Sequence, residues 1–183
     1  MFEIRWHGRA GQGVITVSRL LGYAALLEGK HVQAFPAFGP ERIGAPMAGF
    51  TRISDEPIEV HSLIYDPDIV VVLDDTVPKV VNVAAGLKSL GKILINSKRD
   101  PVDFKKEMNI DNRVYTVDAT RISFDILGNA RAFNTAMLGG LLKAEPLVSM
   151  DSLGRAFRER FRKDIAEKNI EVLKQGNKEA KEA

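Results

Sequence analysis

The stretch "FEIRWHGRAGQGVITVSRLLGYAALLEGKHVQAF" constrains this chain more than any other. Phe2, Ile4 and Trp6 alternate with Glu3 and Arg5, which predicts a short strand over 2–7. Val14, Val17, Leu20, Leu21, Ala24 and Leu27 then recur at three- and four-residue spacing, a helical stripe that Gly29 terminates. His31 to Phe35 is a second strand candidate. Between strand and helix lies Gly8-x-x-Gly11-x-Gly13. Glycines at such a junction admit positive φ and close backbone approach, and the helix N-terminus offers free N–H groups to an anion. The loop therefore reads as a phosphate or carboxylate cradle, or else as a tight turn that lets helix and strand pack closely. Together these residues predict a strand–loop–helix–strand unit.

The rest of the chain extends that pattern. Residues 36–49 hold three prolines and three glycines and no periodicity, so they form a shaped loop. "MAGFTRIS" predicts a strand, with a turn at Asp55-Glu56-Pro57 and a second short strand at Ile58–His61, together a small antiparallel hairpin near 48–62. "IVVVL" is a continuous β-branched run of the kind buried on both faces of a parallel sheet. Asp74-Asp75-Thr76 predicts a capped helix to about Leu90, the cap being a more economical role for these carboxylates than acid–base chemistry. "KILINS" and "RVYTVDA" follow as strands. Two helices span Thr120 to Lys143, broken at Gly128, with Ala136, Gly139 and Gly140 allowing the second to pack closely on the sheet. A helix capped by Asp151 or Ser152 carries Leu153, Phe157 and Phe161, and a last helix from about Asp164 runs into a lysine-rich end expected to fray. The fold class is α/β: a mostly parallel sheet with helices on both faces, one domain over 1–183.

Composition removes whole classes of chemistry. There is no cysteine, so disulfides, thiolate catalysis and cysteine-held zinc or iron–sulfur clusters are excluded. The three histidines (His7, His31, His61) are scattered, and neither a metal site nor a catalytic triad is predicted. A net charge of +2 gives no electrostatic footprint for nucleic acid. No window approaches the roughly 20 apolar residues of a membrane span, and no signal-peptide pattern opens the chain, so a cytoplasmic protein is expected. A dinucleotide site fits poorly. The glycine spacing is the reverse of G-x-G-x-x-G, and "VQAFP" offers Gln33 where a ribose-gripping carboxylate belongs. "FGPERIGAP" presents Arg42 in a proline-stiffened loop, either as a fork for an anion or a partner's carboxylate, or in a local pair with Glu41.

The segments "GRAGQGV", "QAFPAFGPERIGAPMAGFTRIS", "DPDIVVVLDDT", "GKILINS" and "NTAMLGGLLK" resemble the gamma subunit, or fused gamma domain, of 2-oxoacid:ferredoxin oxidoreductases. The likeness is greatest to the pyruvate and 2-ketoisovalerate enzymes of archaea and anaerobic bacteria. Many members carry an extra glycine where this chain has Ala10. The resemblance implies a Rossmann-like domain without NAD, in a hetero-oligomer that oxidatively decarboxylates a 2-oxoacid to an acyl-coenzyme A and reduces ferredoxin. It places thiamine diphosphate between alpha and beta subunits and iron–sulfur clusters in a delta subunit, so no catalytic residue is expected in this chain. It implies that Gly8, Gly11, Gln12 and Gly13 contact a coenzyme A phosphate above the helix begun by Val14 and Thr16. Arg42, Gly44, Ala45 and Pro46 would line the same crevice or face the alpha subunit. A free-standing nucleotide-binding regulatory domain and a pure assembly module are the alternatives. Pyruvate is the expected substrate of the complex, ahead of ketoisovalerate, 2-oxoglutarate or indolepyruvate.

Overall fold

A computed structural model describes residues 1–37 and 42–183. Strand β1 (Phe2–Arg9) turns Ile4 and Trp6 to one face and Glu3, Arg5 and His7 to the other. Helix α1 (Val14–Leu27) follows the glycine loop and lays its apolar stripe on the first face. Strands β2 (His31–Pro36) and β3 (Pro46–Ser54) come next, and β3 inserts between β1 and β2, antiparallel to both. The expected hairpin near 48–62 is therefore corrected. Ile58–His61 forms no strand, because both edges of β3 are already taken and its alternating side chains would bury nothing. The antiparallel element is the β2–β3–β1 ladder.

On the other side of β1 lie β4 (Ile69–Val72), β5 (Lys92–Asn96) and β6 (Arg113–Val117), all parallel to it. The sheet order is β2-β3-β1-β4-β5-β6-β7, in which five strands run one way and β3 and β7 the other. Helices α3 (Ala119–Leu127), α4 (Phe133–Ala144), α5 (Met150–Arg160) and α6 (Lys163–Glu179) join α1 in the larger core on the first face. The second face is covered differently. Val70, Val72, Ile93, Ile95 and Val114 pack against Phe104 of α2 (Pro101–Met108) and against Val77 and Val83 of an irregular segment. Helix α2 escapes the hydrophobic-period reading, but Asp100-Pro101 announces it: the Asp100 carboxylate accepts the Val102 N–H at 3.0 Å, with proline in the first turn.

The helix expected from Thr76 to Leu90 does not form. Only a 3₁₀ turn at Val77–Lys79 appears, followed by turns. Pro78, four β-branched valines and Gly86 at φ +70° oppose a helix there. Two buried arginines hold the irregular coverage in place instead. Arg5 donates to the carbonyls of Tyr65, Val83 and Ala85, and Arg52 to Glu3, Gln33 and the carbonyl of Leu63.

Helices α4 and α6 cross in close backbone contact. A Cβ on Gly139 would lie 2.0 Å from the Leu173 carbonyl oxygen, and one on Gly176 2.1 Å from that of Ala136. Gly140, on the opposite side, clears Leu94 and Val117 of the sheet. The cap of α5 is Ser149, whose Oγ accepts the Ser152 N–H at 3.1 Å, rather than Asp151 or Ser152. The lysine-rich end, expected to fray, folds back as β7 (Lys181–Glu182) against β6. Because backbone oxygen, not a flexible side chain, bounds the space at Gly139, Gly139→Ala should destabilise the fold by about 3 kcal/mol. Urea unfolding of the purified chain measures this, with Gly128→Ala, which has open space but φ +70°, as the milder comparison.

Candidate functional site

The chain leaves β1 toward β2 on one side, whereas β4, β5 and β6 build out on the other. The point where connections part lies between the carboxyl ends of β1 and β4, and ligand crevices of open α/β sheets form there. The glycine loop sits at that point, and its glycines do different jobs. Gly8 is buried in β1, opposite Met47, and the methyl of Val14 fills its missing side chain, 2.8 Å from an ideal Cβ. Its need for glycine is met by packing. Gly11 is exposed at φ +97° with nothing within 4 Å, and Gly13 caps α1 at φ +79°. The first turn of α1 has no carboxylate and no side-chain cap, and its opening N–H groups have no hydrogen-bond partner among the described residues.

The second predicted segment meets the first. Ala10 N–H donates to the Ala45 carbonyl at 2.9 Å, Gly44 N–H to the Ala10 carbonyl at 3.2 Å, and Pro46 opens β3 opposite Arg9. Gly11, Gln12 and Gly13 thus stand beside Gly44, Ala45 and Pro46. Arg42 is exposed on the rim next to Ile43, which is 96% exposed. Glu41, and with it the expected Glu41–Arg42 pair, lies outside the described residues.

Three residues not foreseen as site members complete the clasp. Arg9 donates to the Gly44 carbonyl at 3.0 Å and to Thr76 Oγ1 at 2.8 Å, with Asp74 at 3.4 Å. Gln12 accepts the Arg9 N–H and donates to Asp74 Oδ2, both at 2.7 Å. Partial burial works to raise the pKa of Asp74, but hydrogen bonds from Thr76 and Gln12 and the charge of Arg9 outweigh it and hold the carboxyl below its usual range. The spacing of Asp74 from Thr76 reads as a helix cap in sequence. In the fold the same hydrogen bond, 2.9 Å from Thr76 N–H, turns the loop after β4 instead.

The sequence matches the family described as "Pyruvate ferredoxin/flavodoxin oxidoreductase" over residues 3–179. It is 43% identical to the "Pyruvate/ketoisovalerate oxidoreductases common subunit gamma" of Pyrococcus furiosus, over 96% of this chain and 95% of that one. It is also 43% identical to "Pyruvate synthase subunit PorC" of Methanocaldococcus jannaschii, over 94% and 93%. Among solved structures, it resembles the pyruvate oxidoreductase subunit PORC of Thermotoga maritima with a TM-score of 0.89 at 36% identity, covering 100% of this chain and 98% of that one. A 2-oxoglutarate:ferredoxin oxidoreductase from Magnetococcus marinus, solved with coenzyme A bound, shares the fold at a TM-score of 0.76 and 18% identity, over 97% of this chain and 30% of that one. The chain belongs to the pyruvate ferredoxin/flavodoxin oxidoreductase family. Within it the chain is a gamma subunit of a multi-subunit 2-oxoacid:ferredoxin oxidoreductase.

In this gamma subunit the crevice beside the cradle encloses about 440 Å³ between Gln12, Asp74, Asp75, Asn96, Asp118 and Phe133. Asp75 accepts the Ser97 hydroxyl at 2.7 Å, and Asp118 caps α3 by accepting the Arg121 N–H. The crevice wall thus carries three carboxylates and one cation, Lys98, while the α1 terminus is electropositive. Among the described residues, no group of three His, Asp or Glu side chains is placed to hold a metal ion. Nor, among those residues, is any helix long and apolar enough to cross a membrane.

His7, immediately before the loop, has no role in the cradle. It is buried on the second face, where its Nε2 accepts the Arg5 Nε–H at 3.2 Å. Burial, reinforced by the Arg5 charge, lowers its pKa to about 4. The folded chain thus refuses a proton that the unfolded chain accepts below its ordinary value of 6.5. Stability contributed by neutral His7 is whole above pH 6.5 and is lost as pH falls toward 4, about 2 kcal/mol of it by pH 5. Urea titrations at pH 7 and pH 5 should show a smaller drop for His7→Gln than for wild type, since glutamine can accept from Arg5 without titrating.

Proposed function

We propose that this gamma subunit handles coenzyme A for a pyruvate:ferredoxin oxidoreductase, holding an anionic group of the cofactor at the Gly11–Gly13 loop and helping to assemble the complex. The observation that carries the reading is the first turn of α1: free of carboxylates and side-chain caps, with Gly11 clear above it and the Gly44–Pro46 segment closing one side. Coenzyme A brings several phosphates, and such a terminus favours them through both its N–H groups and its dipole. Gly11, Gln12 and Gly13 would hold the anion, and Gly8 would serve by seating Val14 beneath them. Arg42 stands exposed at the rim, on the side from which a phosphate or a partner's carboxylate would approach.

The rest of the chemistry belongs to partners. This chain has no cysteine to hold an iron–sulfur cluster, and on the family resemblance we assign the clusters that pass electrons to ferredoxin to a delta-type subunit and thiamine diphosphate to the alpha and beta subunits. The archaeal relative is named as common to pyruvate and ketoisovalerate enzymes. A subunit shared by two enzymes cannot be what distinguishes their substrates, so the choice of 2-oxoacid lies outside the gamma chain. Pyruvate is favoured here by the relatives named pyruvate synthase. A dinucleotide role is disfavoured because Gln33 is engaged by Arg52 at 3.1 Å and no carboxylate replaces it. Ile43, almost fully exposed beside the cradle, favours a contact with another subunit at the same rim.

Gly11→Val places a β-branched residue at φ +97° without steric crowding, so it perturbs the loop backbone selectively. In the assembled complex it should raise KM for coenzyme A about tenfold, ~1.4 kcal/mol, with KM for the 2-oxoacid unchanged. Steady-state kinetics with each substrate varied in turn measure this, and an unchanged coenzyme A KM would refute the cradle. Titration with coenzyme A, dephospho-coenzyme A and NAD adds the specificity. Tighter binding of NAD would favour the regulatory-domain reading instead.

A further inference from the structure

The outer edge of β2, with the groove beside it, supports an inference independent of the coenzyme A reading. In the β2–β3 ladder Gln33 pairs with Arg52 and Phe35 with Phe50, and in the next such pair Ala37 N–H donates to the Ala48 carbonyl at 2.9 Å. Antiparallel pairs alternate between hydrogen-bonded and non-hydrogen-bonded. Gln33 and Phe35 therefore bond to β3, and the N–H and C=O groups of Val32 and Ala34 point away from it. β2 ends the sheet, and no other backbone pairs with these groups among the described residues.

The side chains of Val32 and Ala34 line a groove of about 570 Å³ together with Tyr23 and Leu26 of α1 and Ala156 of α5. Tyr23 is 42% exposed and Leu26 53% exposed. Gly22 seats α1 close on Val32, 2.8 Å from its ideal Cβ position, so the helix covers the inner part of β2 and leaves this strip open. Edge strands are ordinarily protected by lysines, bulges or covering elements. The sequence HVQAFP has no lysine, and Pro36 blunts only its end.

The rim of the groove is positive. Arg19 and Arg160 line it without an ion pair among the described residues, while its carboxylate, Glu159, is engaged by the Tyr23 hydroxyl. A second copy of this chain would set two arginine-bearing rims side by side, whereas an acidic segment of a different chain meets them with opposite charge. We propose that the β2 edge accepts an extended strand from another subunit of the oxidoreductase. That strand alternates apolar residues into the Tyr23–Leu26 groove and carries at least one acidic residue toward Arg19 and Arg160.

Amide hydrogen exchange, residue by residue, tests this on the isolated chain and on the assembled complex. In the isolated chain Val32 and Ala34 should exchange fast while Gln33 and Phe35 are protected. On assembly, Val32 and Ala34 should slow by about tenfold or more. Unchanged exchange at both positions in the complex would overturn the proposal. Protection that grows with concentration of the isolated chain would also overturn it, by making a second copy the occupant. An Arg19→Glu/Arg160→Glu variant with wild-type thermal midpoint should bind the remaining subunits more weakly, and its binding should lose the salt dependence expected of wild type. Wild-type affinity and salt dependence in that variant would count against the charge assignment and the strand that rests on it.

Discussion

One contact sets the first strand–helix junction of this molecule: the side chain of Val14 in the space that Gly8 and Gly49 leave open. Its two methyl groups lie 2.8 and 2.9 Å from where those glycines would carry Cβ atoms. Either Cβ would lift the first turn of α1 off the sheet. With the helix seated there, its N–H groups open at the switch point between β1 and β4, and the loop that reaches them must turn through Gly11 and Gly13 at positive φ. The contact also ties β3 to the site, because Gly49 belongs to the inserted strand. The Gly44–Ala45 backbone, immediately before it, is thereby brought against Ala10.

The two faces of the sheet are held by different forces. On the first, five helices bury a continuous apolar core, and glycine-for-contact exchanges at α4–α6 bring backbones together. On the second, a smaller cluster and α2 cover only β4 to β6. Beside β1 and β3 the cover is irregular, and Arg5 and Arg52 fasten it through carbonyl oxygens and Glu3. Buried guanidinium groups are tolerable because their donors are answered, and removing the carbonyls would strand the charges. Irregular backbone can thus be well placed without being helical or extended.

Apolar periodicity and glycine punctuation made β1, α1, β2, β4, β5, β6 and α3 to α6 legible, since these elements bury one stripe or both faces and their sequences must say so. Where local pattern and tertiary need diverge, the reading failed. Ile58–His61 alternates like a strand, yet β3 had no free edge to receive it. Asp74–Thr76 looks like a cap, yet the valines and Pro78 that follow will not wind, and the carboxylate serves Gln12 and Arg9. The glycine loop was legible as a strand–helix junction, but not that Gly8 acts by packing, Gly11 by conformation, and Gly13 by both its φ and its closeness to the Asn134 amide. That distinction needs Val14, Asn134 and open solvent to be located in space.

Taken alone, the sequence determined that the chain is an α/β protein with a glycine loop at a strand–helix junction, and that it lacks the cysteines to carry clusters of its own. Short-range physics suffices for those statements, because backbone propensity, periodicity and side-chain chemistry are local. Only the tertiary structure decided which strand separates β1 from β2, which loops clasp the cradle, and which edge of the sheet is left open. Those outcomes depend on hydrogen-bonding edges and close approaches between residues far apart in the chain, and no local pattern encodes which edge will already be taken.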